Sequence, residues 1–404
     1  FGSGELTGSS ASGGDAYYPE NTLAMRPVFG QPLAEGATYC AVVTRGVRDV
    51  DGDYTQRPDA FQTALEENED LAGLRVWLDD SPLHRSDVAV ATCFTTQQAT
   101  HELRAIQSLI QTMDAPALAS RVEPLVQNEF HGTYWAPNFQ EGEKPYDELG
   151  SFRFDAGGVP IVQSQEQIRF LLMAPREGDM PAGGWPVVVY AHGTGGDYES
   201  CRGVSRRLLR LGYALVCIDQ PLHGSRGPDP EKPLSDDDLV YKSFNFINPP
   251  AGRTNFRQSA VDTMVLTRMI HAGVLDVPAE DTNAGVSVML DPEGIYFFGH
   301  SHGGLSGAMV LAVDPLVRGG VLSGAGGGII NTILLRKDPF DVAALVLSLL
   351  SVETEHFDTF HPTLTLVQML VDASDPMNYA PYWLSPAEGG TAKHVFVTEG
   401  TLDH

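Results

Sequence analysis

Residues 294–311 read GIYFFGHSHGGLSGAMVL, and the fold follows from how that string divides. Ile295, Tyr296, Phe297 and Phe298 form a short β-branched and aromatic run, as in a strand buried on both faces. Gly299-His300-Ser301-His302-Gly303 is a G-x-S-x-G pentapeptide, and the following Gly304-Leu305-Ser306-Gly307-Ala308-Met309-Val310-Leu311 opens a helix. Strand, sharp turn and helix in that order make a nucleophile elbow, which presents a serine hydroxyl at the strand's end. The glycines at 299 and 303 have a physical reason: a side chain there would collide with the adjacent strand and helix. The rival reading is a serine in an ordinary glycine-rich loop, which leaves the flanking strand and helix unexplained.

Outward from this turn, strand-like runs alternate with helical ones from about residue 151. The runs cover residues 167–174 (QIRFLLMA), 186–191 (PVVVYA), 213–218 (YALVCI), 294–298, 319–322 (GGVL) and 394–398 (HVFVT). That alternation predicts a mostly parallel sheet with crossover helices, and with the elbow an α/β-hydrolase fold over residues 151–404. His192-Gly193-Thr194-Gly195-Gly196 follows one of these strands directly. Acyl transfer builds negative charge on a carbonyl oxygen, and preorganised backbone N–H groups stabilise it. The predicted oxyanion donors are the N–H groups of Thr194, in this loop, and of His302, after the serine. The loop matches neither phosphate-binding spacing, G-x-x-x-x-G-K or G-x-G-x-x-G.

A serine hydroxyl needs a base, usually histidine, oriented by a carboxylate, and in this fold the chain order is Ser, Asp/Glu, His. The run at 394–398 leads into Glu399-Gly400-Thr401-Leu402-Asp403, which makes Asp403 the expected acid, with Glu399 and then Asp375 as competitors. His404 is too close to Asp403 to be the base. The usual final strand, histidine loop and closing helix do not precede it, so the base is expected beyond residue 404. The upstream rivals are His223, His356 and His361. His223 reads as a loop organiser, His361 before Pro362 as a helix-start residue, and His300 and His302 as pocket wall. Residues 324–375 form an insertion with very apolar stretches at 329–335 and 342–352, expected as a cap over the serine or as a helical pair burying itself.

The 404-residue chain carries 26 basic and 52 acidic side chains, for a formal charge of −26. So acidic a surface repels phosphate backbones and argues against a nucleic-acid partner. No CxxC pair exists, so zinc is not expected. Cys40 and Cys93 lie on strand-like runs in the first part of the chain, with Cys201 and Cys217 close together in the second. Two local disulfides in an exported protein and four buried thiols are both compatible with that. Residues 1–19 are rich in Gly and Ser and read as a flexible tether, of the kind that follows a signal or a lipid-anchored cysteine. Residues 20–97, with β-type runs at 37–48 and 87–96, predict a small β-sandwich. Residues 97–113 predict a connecting helix within an irregular connector over 98–150.

Eight segments carry a resemblance: PLAEGATYCAVVTRGVRDVDG, VAVATCFTTQ, VVVYAHGTGG, GYALVCIDQPLHG, NFRQSAVD, FFGHSHGG, DPMNYA and VTEGTLDH. Together they resemble the bacterial extracellular lipases that carry an N-terminal Ig-like, virulence-factor-lipase domain. The resemblance implies an exported esterase or lipase without metal or organic cofactor, acting on small-molecule or lipid esters, and an apolar lid over the serine would favour acyl chains and peripheral contact with lipid interfaces. It implies Ser301 as nucleophile, Asp403 as acid, and Thr194 and His302 as oxyanion donors. A looser similarity reaches platelet-activating-factor acetylhydrolases and polyester hydrolases. Other acyl hydrolases, such as thioesterases and amidases, use the same machinery, and a catalytically dead binding protein on this fold is the non-enzymatic alternative.

Overall fold

The computed structural model describes residues 23–28, 30–49, 51–126, 128–337, 341–350, 358–386 and 390–400. The predicted tether, His356, Asp403 and His404 lie outside them. The described chain divides into two units, with the boundary between Gln98 and Ala99.

The first unit departs from the expected β-sandwich. It holds β1 (Thr38–Thr44), α1 (Asp59–Glu67), α2 (Ala72–Asp80) and β2 (Val88–Thr95), and its sheet has only two strands, paired antiparallel. The helices were written in the sequence at a period the strand reading passed over. Phe61 and Leu65, and Leu74 and Leu78, recur four residues apart. Leu65, Leu74 and Leu78 are buried with Val88 and pack against Cys40, Val42 and Cys93. Cys40 faces Cys93 across the strand pair, and the two form a disulfide.

The second unit begins with α3 (His101–Thr112), which buries Leu103, Ile106 and Ile110 on one face. Its eight-stranded sheet uses β3 (Glu123–Val126), β4 (Glu129–Asn138), β5 (Ser164–Met173), β6 (Trp185–Ala191) and β7 (Ala214–Ile218), then β8 (Leu290–His300), β9 (Val317–Ser323) and β10 (His394–Thr398). The helices are α4 (Arg202–Arg210), α5 (Asp236–Phe244), α6 (Pro249–His271) and α7 (His302–Val313), followed by α8 (Ile329–Leu335), α9 (Val342–Leu350), α10 (Pro362–Val371), α11 (Pro376–Tyr379) and α12 (Pro381–Leu384). Across the sheet the order is β10-β9-β8-β6-β7-β5-β4-β3. The five strands from β10 to β7 are parallel, and β5, β4 and β3 are antiparallel to their neighbours. This topology fits an α/β-hydrolase fold.

The sheet therefore starts well before residue 151. Residues 123–138, read as irregular connector, supply two of its strands. Gly132 and Pro137 interrupt the composition of β4, but ten residue pairs join it to β5, and Phe130 and Tyr134 are fully buried. The edge position of β3 tolerates Pro124, which donates nothing to a ladder. The centre of the core is α7. Its glycines bring it close to the sheet: a Cβ at Gly307 would stand 2.2 Å from the Phe297 ring. Met309, Val310 and Leu311 are fully buried, each stabilising by roughly 1.5–3 kcal/mol.

A second disulfide joins Cys201, at the start of α4, to Cys217 in β7, across a sequence separation of 16. Loop-closure entropy for such a span corresponds to about 3 kcal/mol. Urea denaturation of the Cys201→Ala/Cys217→Ala double variant is expected to show a loss of that order. An unchanged midpoint would show that the bridge does not restrain the unfolded chain.

Candidate active site

Register across the sheet assembles the site. Ala191 at the end of β6 pairs with Gly299 of β8, so the loop from His192 and the turn at Ser301 leave the sheet side by side. Ser323 at the end of β9 pairs with both His300 and Thr398, which brings Glu399 out at the same edge. Open α/β sheets bind ligands at these carboxyl ends.

Ser301 has φ 51° and ψ −114°, a conformation that L residues avoid. Its N–H donates to the Ser323 carbonyl at 2.8 Å, and its own carbonyl accepts from Gly304 and Leu305 in the first turn of α7. A Cβ at Gly299 would meet the Gly303 carbonyl oxygen at 2.2 Å, and one at Gly303 would meet the Ala191 oxygen at 2.1 Å. Both elbow glycines are thus held to glycine by contact with backbone. Gly193 lies against the serine, since a Cβ there would approach the Ser301 Cβ to 3.4 Å.

The two expected oxyanion donors come out on adjacent segments. His302 is the first residue of α7, where an N–H has no partner inside the helix. Neither its N–H nor that of Thr194 donates to any group among the described residues. The Thr194 Oγ1 and His302 Nδ1 are 3.4 Å apart. The His192 carbonyl accepts from the Gly303 N–H at 3.0 Å, tying the loop to the elbow.

Three imidazoles lie buried behind the serine. His192 and His223 have ring centroids 4.9 Å apart, His223 and His302 5.1 Å, and Phe256 stacks on His302 at 4.3 Å. Burial pushes the pKa of His192 down to about 4, and burial with the neighbouring His192 takes His223 to about 3. Burial likewise lowers His302 well below the ordinary range. All three are neutral at pH 7. His192 donates from Nδ1 to the Gly193 carbonyl, and His223 from Nδ1 to the Pro221 carbonyl. His223 is therefore an organiser of the loop after β7, as read from the sequence. His361 accepts at Nδ1 from the Thr363 N–H and caps α10. Asp375 accepts from the N–H groups of Gly328, Ile329 and Met377, which commits it to helix starts. Glu399 lines the cavity at Ser301.

Sequence reasoning missed the shell that holds the loop from His192. Gln220 donates its backbone N–H to His192 Nε2 at 3.2 Å and its side-chain amide to the His192 carbonyl. Its own Oε1 accepts from Ser259 Oγ at 2.7 Å. Arg226, fully buried, bonds Asp262 at 2.6 Å, Glu166 at 2.9 Å and the Asp219 carbonyl at 3.0 Å. Burial raises the Glu166 carboxyl, but Arg226 and Lys144 outweigh it and hold the pKa at about 2. DQPLHG and NFRQSAVD carry most of these residues, yet Gln220 and Ser259 stand 39 residues apart, and no local pattern pairs them.

Ser301 opens into a cavity of about 1030 Å³. Phe244, Ile247, Phe256 and Leu305 line it from the sheet side, and Ile333, Val346 and Val367 from the insertion. Ile330, Ile333, Val342, Val346 and Leu364 bury one another, and the same helices wall the cavity.

No family model matches this chain, and no curated protein matches it. Solved structures similar to it include esterases. Acetyl xylan esterase 1 from Thermoanaerobacterium sp. JW/SL YS485 is 12% identical, covering 75% of this chain and 88% of its own, with a TM-score of 0.41. Acetyl xylan esterase from Paenibacillus sp. R4 is 13% identical, covering 74% and 88%, with a TM-score of 0.40. A cold-adapted esterase from an Arctic intertidal metagenomic library is 13% identical, covering 70% and 90%, with a TM-score of 0.32.

Two outcomes test the site's construction. Gln220→Leu removes the side-chain donor to the His192 carbonyl and the acceptor of Ser259 while keeping the backbone bond to the His192 ring, and is expected to lower kcat about tenfold on a p-nitrophenyl ester with little change in KM. An unchanged kcat would mean the loop holds itself. The imidazoles also set a pH dependence. The unfolded chain binds protons near pH 6.5 that folded His192 and His223 refuse until about 4 and 3. Stability is therefore complete above pH 6.5 and falls as pH drops below it. Calorimetry is expected to show Tm declining already between pH 6.5 and 5, above the range where most carboxylates titrate. A flat Tm there would contradict neutral burial.

Proposed function

We propose that the protein is a serine carboxylic-ester hydrolase, with Ser301 as nucleophile. The observation that carries this reading is the left-handed backbone of Ser301 between two glycines that admit no Cβ, at the mouth of an apolar cavity. A structural serine gains nothing from such strain, whereas a nucleophile gains exposure of its hydroxyl. In the proposed reaction a histidine oriented by Asp403 takes the Ser301 proton as Oγ bonds to the ester carbonyl carbon. The N–H groups of Thr194 and His302 receive the oxyanion. The alcohol leaves with that proton, an acyl-enzyme remains, and water releases the acid.

The apolar lining favours acyl chains over sugars, and the exposed Ile247 and Leu335 at the cavity suit peripheral contact with a lipid surface. Two disulfides suit an oxidising compartment, which supports export to the cell envelope or beyond.

Steady-state assays on matched p-nitrophenyl esters, thioesters and anilides test the reaction class. Ester turnover is expected to dominate and to fall at least about 10³-fold in Ser301→Ala. Faster thioester turnover would move the protein to another acyl-hydrolase class. Ester turnover that survives in Ser301→Ala would remove the serine from the mechanism.

A further inference from the structure

Among the described residues the cavity lining carries three charged side chains among its apolar ones: Arg253, Arg336 and Glu399. Arg253 lies on α6 three residues before Phe256, the ring stacked on His302 beside the nucleophile. That is about one helical turn.

Arg253 is half-buried, and its bonding is incomplete. Nη1 donates to the Leu370 carbonyl at 2.9 Å, near the end of α10. Nε is buried without a partner, and Arg253 makes no ion pair among the described residues. Glu102, whose field reaches it, is already bonded to Arg257, which Thr254 also holds at 2.9 Å. Nε of Arg257 is also buried without a partner, so the two arginines, one turn apart on the same helix, differ in ion pairing: Arg257 is paired with Glu102, and Arg253 has no carboxylate partner among the described residues. Capping α10 occupies one of five N–H donors. A cap alone does not require a half-buried guanidinium to face an apolar cavity with donors to spare.

We infer that the acyl chain taken by this cavity ends in a carboxylate that Arg253 binds, so the preferred substrate is a half-ester of a dicarboxylic acid. The inference rests on the reading of Ser301 as an ester-cleaving nucleophile. The guanidinium fork matches a planar carboxylate in two parallel bonds, and the apolar wall takes the methylenes of the chain. Arg253 selects the substrate and takes no part in bond breaking.

The test compares the p-nitrophenyl half-ester of octanedioic acid with its methyl-capped, neutral diester in the full chain. The expected kcat/KM ratio favours the half-ester at least about tenfold, mostly through KM. Arg253→Gln brings the ratio to about one, and Arg253→Lys keeps part of it. If Arg253 merely caps α10, Arg253→Gln lowers Tm and both rates together and leaves the ratio unchanged, which overturns the inference. Free octanedioate supplies a readout without turnover. By calorimetry it is expected to bind wild type and Ser301→Ala, and to lose that binding in Arg253→Gln. Octanedioate binding that depends on Arg253, in a protein that cleaves neither ester, would uphold the anion site while the hydrolase reading fails. Cleavage of both esters without preference and without octanedioate binding would remove the anion site and leave that reading intact. Tighter binding of octyl phosphate than of octanedioate would overturn the assignment to a carboxylate.

Discussion

Everything at this site depends on one backbone conformation, the φ 51° and ψ −114° of Ser301. Such a residue costs on the order of 1–3 kcal/mol and persists only where its surroundings leave no alternative. Here the surroundings are close backbone contacts. Gly299 sits against the Gly303 carbonyl, Gly303 against the Ala191 carbonyl, and the Ser301 N–H is tied to Ser323. Three parallel strands ending at one level, and a helix starting there that is buried at every position but Leu305, fix these three contacts at once. The sheet and α7 can thus be understood as the frame that holds one serine in an unfavourable turn.

The same logic reaches back into the layer behind the turn. An oxyanion loop stabilises charge only if its N–H groups are aimed before the charge forms. The loop from His192 is held by Gln220, Gln220 by Ser259, and the following turn by Arg226 with its two carboxylates. Removing one partner of a buried, hydrogen-bonded charge cluster costs about 3–5 kcal/mol. The imidazoles of His192, His223 and His302 pack into this layer as neutral rings, so they contribute shape and single directed bonds and no positive field behind Ser301.

The parts of this structure that were legible in the sequence are the local ones. The elbow announced itself because strand, glycines, serine and helix are contiguous, and the parallel strands because each is a short, continuous apolar run. The first unit was misread because its two strand-like stretches are conspicuous, while α1 and α2 show their period only through pairs such as Leu74 and Leu78. The start of the sheet was placed too late because β4 contains Gly132 and Pro137 and owes its pairing to β5, a partner across an irregular stretch. The support of the loop from His192 was invisible for a related reason. Gln220, Ser259, Arg226 and Asp262 are ordinary polar residues until the fold brings the loop after β7 against α6. Arg253 reads as one more helix-surface arginine until the cavity is seen beside it.

Reaction with a fluorophosphonate, followed by intact mass and peptide mapping, is the most direct measurement of the central claim. The account predicts a single adduct, carried by the peptide containing Ser301, formed by the native protein and not by protein unfolded before the reagent is added. Absence of an adduct, or an adduct on another residue, would mean that the turn at Ser301 does not hold an activated nucleophile.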